Sequence, residues 1–232
     1  PAGVWPVDPA GGYAIGRAVA AGRGSGPGFV GRDTRQSSPS LAAAVIEGLI
    51  AGGSTALDLG VLPTAAVSCA VALSPEAGAG IMVTASHNPW ADNGLKVVDA
   101  RGEKVHDTAP LTQFFDSPPE AEPGRVVVVP RPLLPWHARL PAVDLSGRQI
   151  LFDGADGAAH ICGPAVLEAL GATVLRRGCK PNGKNINADV GALNPPTDLM
   201  GCDLAICLDG DADRLVMVAP DHGVLDGDDL LW

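Results

Sequence analysis

Aromatic residues are scarce: one Tyr, four Phe and four Trp make up 4% of 232 residues. A surface that stacks unpaired bases needs several such rings side by side. Positive charge is also in short supply, with 16 Lys and Arg against 26 Asp and Glu and a net charge of −10. The resulting field repels nucleic-acid phosphates and anionic membranes, so neither is an expected partner. No apolar run reaches the roughly 18 residues of a membrane span, and the start PAGVWPVDPAGG has no basic segment ahead of an apolar one. The five cysteines (Cys69, Cys162, Cys179, Cys202 and Cys207) are odd in number and include no C-x-x-C pair. That argues against a disulfide framework and a zinc ribbon, and for a reducing, cytoplasmic setting. Hydrophobic residues are nevertheless 46% of the chain and charged ones 18%, enough to bury a core. Thirty Gly and 21 Pro point to tight turns and close backbone approaches.

The length suits one large or two small domains, and the pattern suggests two. Residues 10–22 and 39–51 carry apolar residues at helical spacing, the second with Ser38-Pro39 as cap and first-turn proline. GFVGRD between them, then STALDLG, TAAVSCAVAL and AGIMVTASHN, alternate strand, helix and strand, a βαβ-type arrangement. Seven prolines between 118 and 141 exclude continuous helix there and suggest an extended linker. RQILFDG, AAHICGPAVLEALGA, TVLRRG, CDLAICLDGD and RLVMV follow as a second βαβ-type pattern. The expected fold class is α/β, with two βαβ-type domains built on mixed, mostly parallel sheets.

Three segments carry chemistry. Asp209-Gly-Asp-Ala-Asp-Arg214 sets three carboxylates at alternate positions directly after the apolar strand LAICL. Ionised carboxylates about 4 Å apart repel by about 4 kcal/mol per pair at an effective dielectric of 20, so three converging ones call for a cation. Oxygen donors select Mg²⁺ or Ca²⁺ over zinc. An EF-hand is excluded, because its sixth and twelfth positions would be Arg214 and Pro220 where it needs Gly and Glu. The other reading is a solvated acidic turn, but open α/β sheets bind ligands at strand carboxyl ends, which favours the metal.

Thr84-Ala-Ser-His-Asn-Pro89 also ends a buried strand. Ser86 there is either an exposed nucleophile or phosphoryl carrier, or one member of a turn that satisfies its own backbone. It lacks the flanking glycines of a hydrolase elbow. Gly31-Arg-Asp-Thr-Arg35 offers Arg32 and Arg35, whose guanidinium groups suit phosphate oxygens or ordinary salt bridges. The polar stretch from Cys179 to Gly191 reads as a hydrophilic connection, and His106, His137, His160 and His222 have no ligand spacing.

GRDTR, then TASHNP with N-G-L-K behind it, then DGDADR, in that order, resemble the α-D-phosphohexomutases, which move a phosphoryl group between the 6- and 1-positions of hexose phosphates. The likeness covers nearly the whole chain outside the Pro-rich stretch. GCKPNGKNINADVGA and LAICLDGDADRLVMV are most similar to the bacterial branch acting on glucosamine phosphate. The resemblance implies the first two of four domains: residues 1–117 with the phosphoserine loop, a linker at 118–141, the metal-loop domain at 142–219 and, at 220–232, the start of a third. Pro1 in place of Met and a chain ending at Trp232 directly after LDGDDLL fit a longer parent, with further domains or a homodimer covering the apolar end.

The resemblance further implies that Ser86 is carried as a phosphoserine. One Mg²⁺ would bind Asp209, Asp211, Asp213 and the Ser86 phosphoryl oxygen, Lys96 would assist proton transfer, and His87, Arg32, Arg35 and Arg214 would lie against the phosphoryl group. A hexosamine phosphate is the implied substrate and glucosamine or glucose 1,6-bisphosphate the primer. Phosphomannomutase or phosphoglucomutase activity, or a silent Mg²⁺-binding fragment, are the alternative functions. Asp153-Gly-Ala-Asp-Gly-Ala158 departs from the family's D-x-A-N-G-A.

Overall fold

The computed structural model describes residues 1–22, 26–107, 109–115, 120–129 and 143–231. They divide into two compact units. The first holds residues 1–33, 37–84 and the chain from 91 into the Pro-rich stretch; the second holds 34–36, 85–90 and the C-terminal part. The Ser86 loop therefore groups with the second unit, although 1–117 was expected to form one domain. The physical cause is a set of hydrogen bonds from Arg35 and Asn187, described with the site.

In the first unit, helix α1 (Pro9–Gly22) precedes strand β1 (Gly28–Arg32), followed by α2 (Ser38–Ala51), β2 (Ala56–Val61), α3 (Thr64–Ala72), β3 (Ala79–Val83), β4 (Leu95–Val98), the short α4 (Ala109–Thr112) and β5 (Val126–Val128). The sheet order is β4-β3-β1-β2-β5, antiparallel at β3–β4 and parallel elsewhere. β5 shows that part of the stretch read as linker is an edge strand pairing Ala56–Asp58; a Val-rich triplet, free of proline, can still donate to a ladder. The prolines at 118, 119, 130, 132, 135 and 141, and His137, lie outside the described residues.

β1 and β3 read as continuous apolar runs because helices cover them: Val30, Ile81 and Val83 are buried with Val45 and Leu49 of α2 and Val19 of α1. Part of the glycine content is explained where α1 crosses α2. A methyl on Gly16 would collide with the Val45 carbonyl, and one on Gly48 with the Tyr13 carbonyl. The helix N-terminus differs from expectation. Ser37 holds the cap position without a side-chain bond to the helix N–H groups, and Ser38 Oγ donates to Asp33 Oδ1 at 2.6 Å. Asp33 Oδ2 accepts from Thr84 Oγ1 at 2.7 Å, and Asn93 Nδ2 donates to Ser38 Oγ at 3.0 Å. Asp33 and Asn93, from two of the three motifs, thus tie the ends of β1 and β3 together.

The second unit contains β6 (Gln149–Asp153), α5 (Cys162–Ala169), β7 (Thr173–Arg177), β8 (Leu204–Leu208), β9 (Leu215–Ala219), β10 (Gly223–Leu225) and α6 (Gly227–Leu231), in the order β10-β9-β8-β6-β7. β6 is parallel to β7 and β8, while β8–β9 and β9–β10 are antiparallel hairpin pairs. Residues 223–225, expected to open another domain, extend this sheet. Leu151, Ala205, Cys207 and Val218 form its core. All five cysteines are free thiols. No helix among the described residues is long and apolar enough to cross a membrane.

Candidate functional site

The site in the second unit is built where β8 runs out at Leu208 and the chain turns back into β9. Asp209 sits at that strand end, 1% exposed, and its Oδ1 accepts the backbone N–H groups of Asp213 at 3.1 Å and Arg214 at 3.2 Å. These bonds fold the loop around the carboxylate, with Ala212 in the left-handed region at φ 58°. Asp211 is fully buried, Asp213 is exposed, and one oxygen from each of the three acids lies within 4.8 Å of the others. Ligand oxygens around a cation at about 2.1 Å for Mg²⁺ to about 2.6 Å for Ca²⁺ lie at most about 4.2–5.2 Å apart, so the spacing is in the range that a hard divalent cation bridges.

Asp209 Oδ2 accepts a hydrogen bond from Ser86 Oγ at 2.6 Å. Burial raises the Asp209 carboxyl above its ordinary value, the Ser86 hydroxyl works against that rise, and Asp211 and Asp213 add to it. The serine arrives on a loop with unusual backbone. Ser86 has φ 53°, a conformation costing a residue with a Cβ about 1–2 kcal/mol. Gly210 allows the approach: a Cβ there would lie 2.5 Å from the Ser86 carbonyl oxygen and 2.9 Å from Asn187 Nδ2.

His87, next along, borders a cavity of about 370 Å³ with Trp90, Ile186, Asn187, Leu193 and Asn194. Its Nδ1 is buried with no hydrogen-bond partner among the described residues. Lys184 Nζ lies 5.3 Å from the Trp90 ring centre. The exposed Arg214 occupies the end of the acidic loop.

The structure thus gathers Ser86, His87, Asp209, Asp211, Asp213 and Arg214 in one unit. Arg32 and Lys96 belong to the other. There Arg32 donates to Asp58 Oδ1 at 3.2 Å, and Lys96 lies on β4 in register with Met82. Arg35 groups with the Ser86 loop. It is 1% exposed and its guanidinium donates to the carbonyls of Ser86 at 2.7 Å, Asn88 at 2.9 Å and Pro89. These bonds hold the guanidinium against the backbone of the serine loop.

Sequence reasoning also passed over the stretch 179–191 as a hydrophilic connection. Asn187 Nδ2 donates to the carbonyls of Ser86 at 3.0 Å and Asn88 at 3.2 Å. Asp156, in the D-G-A-D-G-A segment, accepts from Lys180 N at 2.7 Å and Asn185 Nδ2 at 2.8 Å, so the departure from Asn puts an acceptor where both neighbours are donors. The asparagine density of this stretch was the available signal. Which asparagine faces the serine loop was not.

A family model described as phosphoglucomutase/phosphomannomutase, alpha/beta/alpha domain I, matches residues 9–113. The phosphoglucosamine mutase of Aliarcobacter butzleri is 37% identical over 223 residues, covering 88% of this chain and 50% of that protein. The one from Citrifermentans bemidjiense is 38% identical over 226 residues, covering 87% and 48%. Among solved structures, a phosphoglucomutase/phosphomannomutase family protein from Burkholderia thailandensis superposes with a TM-score of 0.84 at 24% identity, covering 97% of this chain and 54% of its own, and shares the fold. The chain spans about half the length of the curated relatives it matches.

Proposed function

We propose, from the premise that this chain belongs to the α-D-phosphohexomutase family of isomerases, that it carries the phosphoryl-transfer half of a hexosamine phosphate mutase. The hydrogen bond between Ser86 Oγ and Asp209 in the acidic cluster carries the proposal. Ser86 holds the phosphoryl group as an ester. Its P–O bond breaks as a sugar hydroxyl attacks phosphorus in line, the hydroxyl proton leaves to a basic group, and Ser86 takes back the other phosphoryl group of the resulting 1,6-bisphosphate. Net, glucosamine 6-phosphate becomes glucosamine 1-phosphate, with the bisphosphate as primer; the names of the relatives favour the amino sugar.

Asp209, Asp211 and Asp213 would hold Mg²⁺ together with the Ser86 oxygen. Bound there, the ion supplies countercharge for a phosphoryl group whose charge spreads over its oxygens as it moves. A phosphoserine adds about −1.5 to −2 charge beside the acids, and the Arg214 guanidinium, at the end of their loop, is suited to offset it. His87, with an unsatisfied buried nitrogen, is suited to hold a phosphoryl oxygen or a proton beside Ser86. Lys96 for proton transfer and Arg32 for phosphate binding rest on motif alone.

The test is intact mass after incubation with glucose 1,6-bisphosphate and Mg²⁺, paired with a coupled assay for glucosamine 1-phosphate. The expected result is a phosphoryl adduct on the wild-type chain that Ser86→Ala lacks. An adduct that survives in Ser86→Ala would overturn the assignment.

A further inference from the structure

Arg35 and Asn187 converge on the same two carbonyls. Arg35 donates to the Ser86 and Asn88 oxygens at 2.7 Å and 2.9 Å and also reaches Pro89; Asn187 donates to the first two at 3.0 Å and 3.2 Å. The Ser86 carbonyl thus takes two donors, from residues 51 and 101 positions away in the chain. Inside the loop the Asn88 N–H donates to the Ala85 carbonyl at 3.1 Å, closing a tight turn around a serine with positive φ. If Ser86 relaxed to an ordinary negative φ, its flanking peptide would rotate, and the buried guanidinium and the half-buried amide would both lose an acceptor.

We propose that Arg35 and Asn187 are positioning residues that lock the Ser86 peptide in the left-handed conformation and so aim Ser86 Oγ at Asp209. Neither need touch the phosphoryl group. The role calls for a planar fork with several fixed donors, which Arg has and the point-charge ammonium of Lys lacks. Gly210 serves the same end from the acidic loop, since any side chain there meets the held carbonyl. The catalytic consequence rests on the proposed role of Ser86; the conformational lock does not.

The experiment uses Arg35→Lys and Asn187→Ala in the full chain. Asn187→Ala leaves Arg35 in place, so it supplies a folded variant even if Arg35→Lys misfolds. Amide hydrogen exchange of residues 85–90 should quicken at least about tenfold in each folded variant, while the strand amides of β6 and β8 stay protected. With glucose 1,6-bisphosphate and Mg²⁺, the saturating rate of phosphoryl incorporation at Ser86 should fall at least about tenfold, with the half-saturating donor concentration within about twofold of wild type. Unchanged exchange in 85–90 overturns the lock. A loss expressed only as a higher half-saturating concentration overturns the positioning role and returns these residues to ligand binding. If the wild-type chain takes up no phosphoryl group at Ser86, the proposed function fails, and exchange alone decides the lock.

Discussion

Asp209 serves as acceptor in two directions, with one oxygen for the N–H groups of its own loop and the other for Ser86. Asp211, fully buried beside it, is where a cation adds most. Asp211→Asn keeps the shape and removes one charge, and calorimetry should show Mg²⁺ affinity lower by at least about tenfold, in line with a charge-assisted contact of about 1.5–3 kcal/mol. Equal affinity would move the cation elsewhere. The buried thiols make a separate claim about pH. Burial pushes the Cys207 thiol from its ordinary 9.0 up to about 12 and that of Cys162 up to about 11. The folded chain therefore keeps protons that the unfolded chain gives up, so this stabilisation is complete below pH 9 and lost as pH rises through 11 to 12. The urea midpoint should drop between pH 9 and pH 11, and drop less in Cys207→Ala; identical pH profiles would remove the cysteine from the account.

At the scale of elements, the glycines of α1 and α2 decide how near the helices lie. Gly16 faces backbone, the Val45 carbonyl and the Leu49 nitrogen, and backbone cannot swing aside as a side chain can. Gly16→Ala gains about 1 kcal/mol of helix propensity, but overpacking costs about 1–3 kcal/mol. The net effect expected is a lower melting temperature, measured by circular dichroism; an unchanged or higher one would mean that the helices part without loss. Most of the helices and strands were readable from period and composition, though β4 and α4 were not singled out. β1 and β3 are apolar on both faces, and α2 starts at a Ser-Pro pair. β5 and β10 were not readable, because short triplets of strand-formers become strands only when a neighbouring edge offers them a ladder. α5 also begins later than its apolar pattern: Ala158–His160 are held in a turn by bonds such as Ala158 N to the Gly210 carbonyl at 2.8 Å, a long-range tie that outweighs local propensity.

For the molecule as a whole, a cation that binds only the folded chain raises its stability by about 2.7 kcal/mol at a hundred times its dissociation constant. Melting should shift upward with Mg²⁺ in the wild-type chain and much less in Asp211→Asn; equal shifts in both would count against the acidic loop as the ion's seat. The sequence alone determined the two-part α/β plan, the acidic loop at a strand end and the serine at another, because hydrophobic period and carboxylate spacing are local and need no third dimension. Only the tertiary structure decided that Ser86 donates to Asp209 across 123 positions of chain and that Arg35 grips the carbonyls of the serine loop. It likewise decided that an asparagine from a stretch that reads as mere connection holds the serine peptide. An arginine's donors look the same in sequence whatever they bind; burial and the carbonyls within reach choose among the acceptors, and those belong to the folded chain.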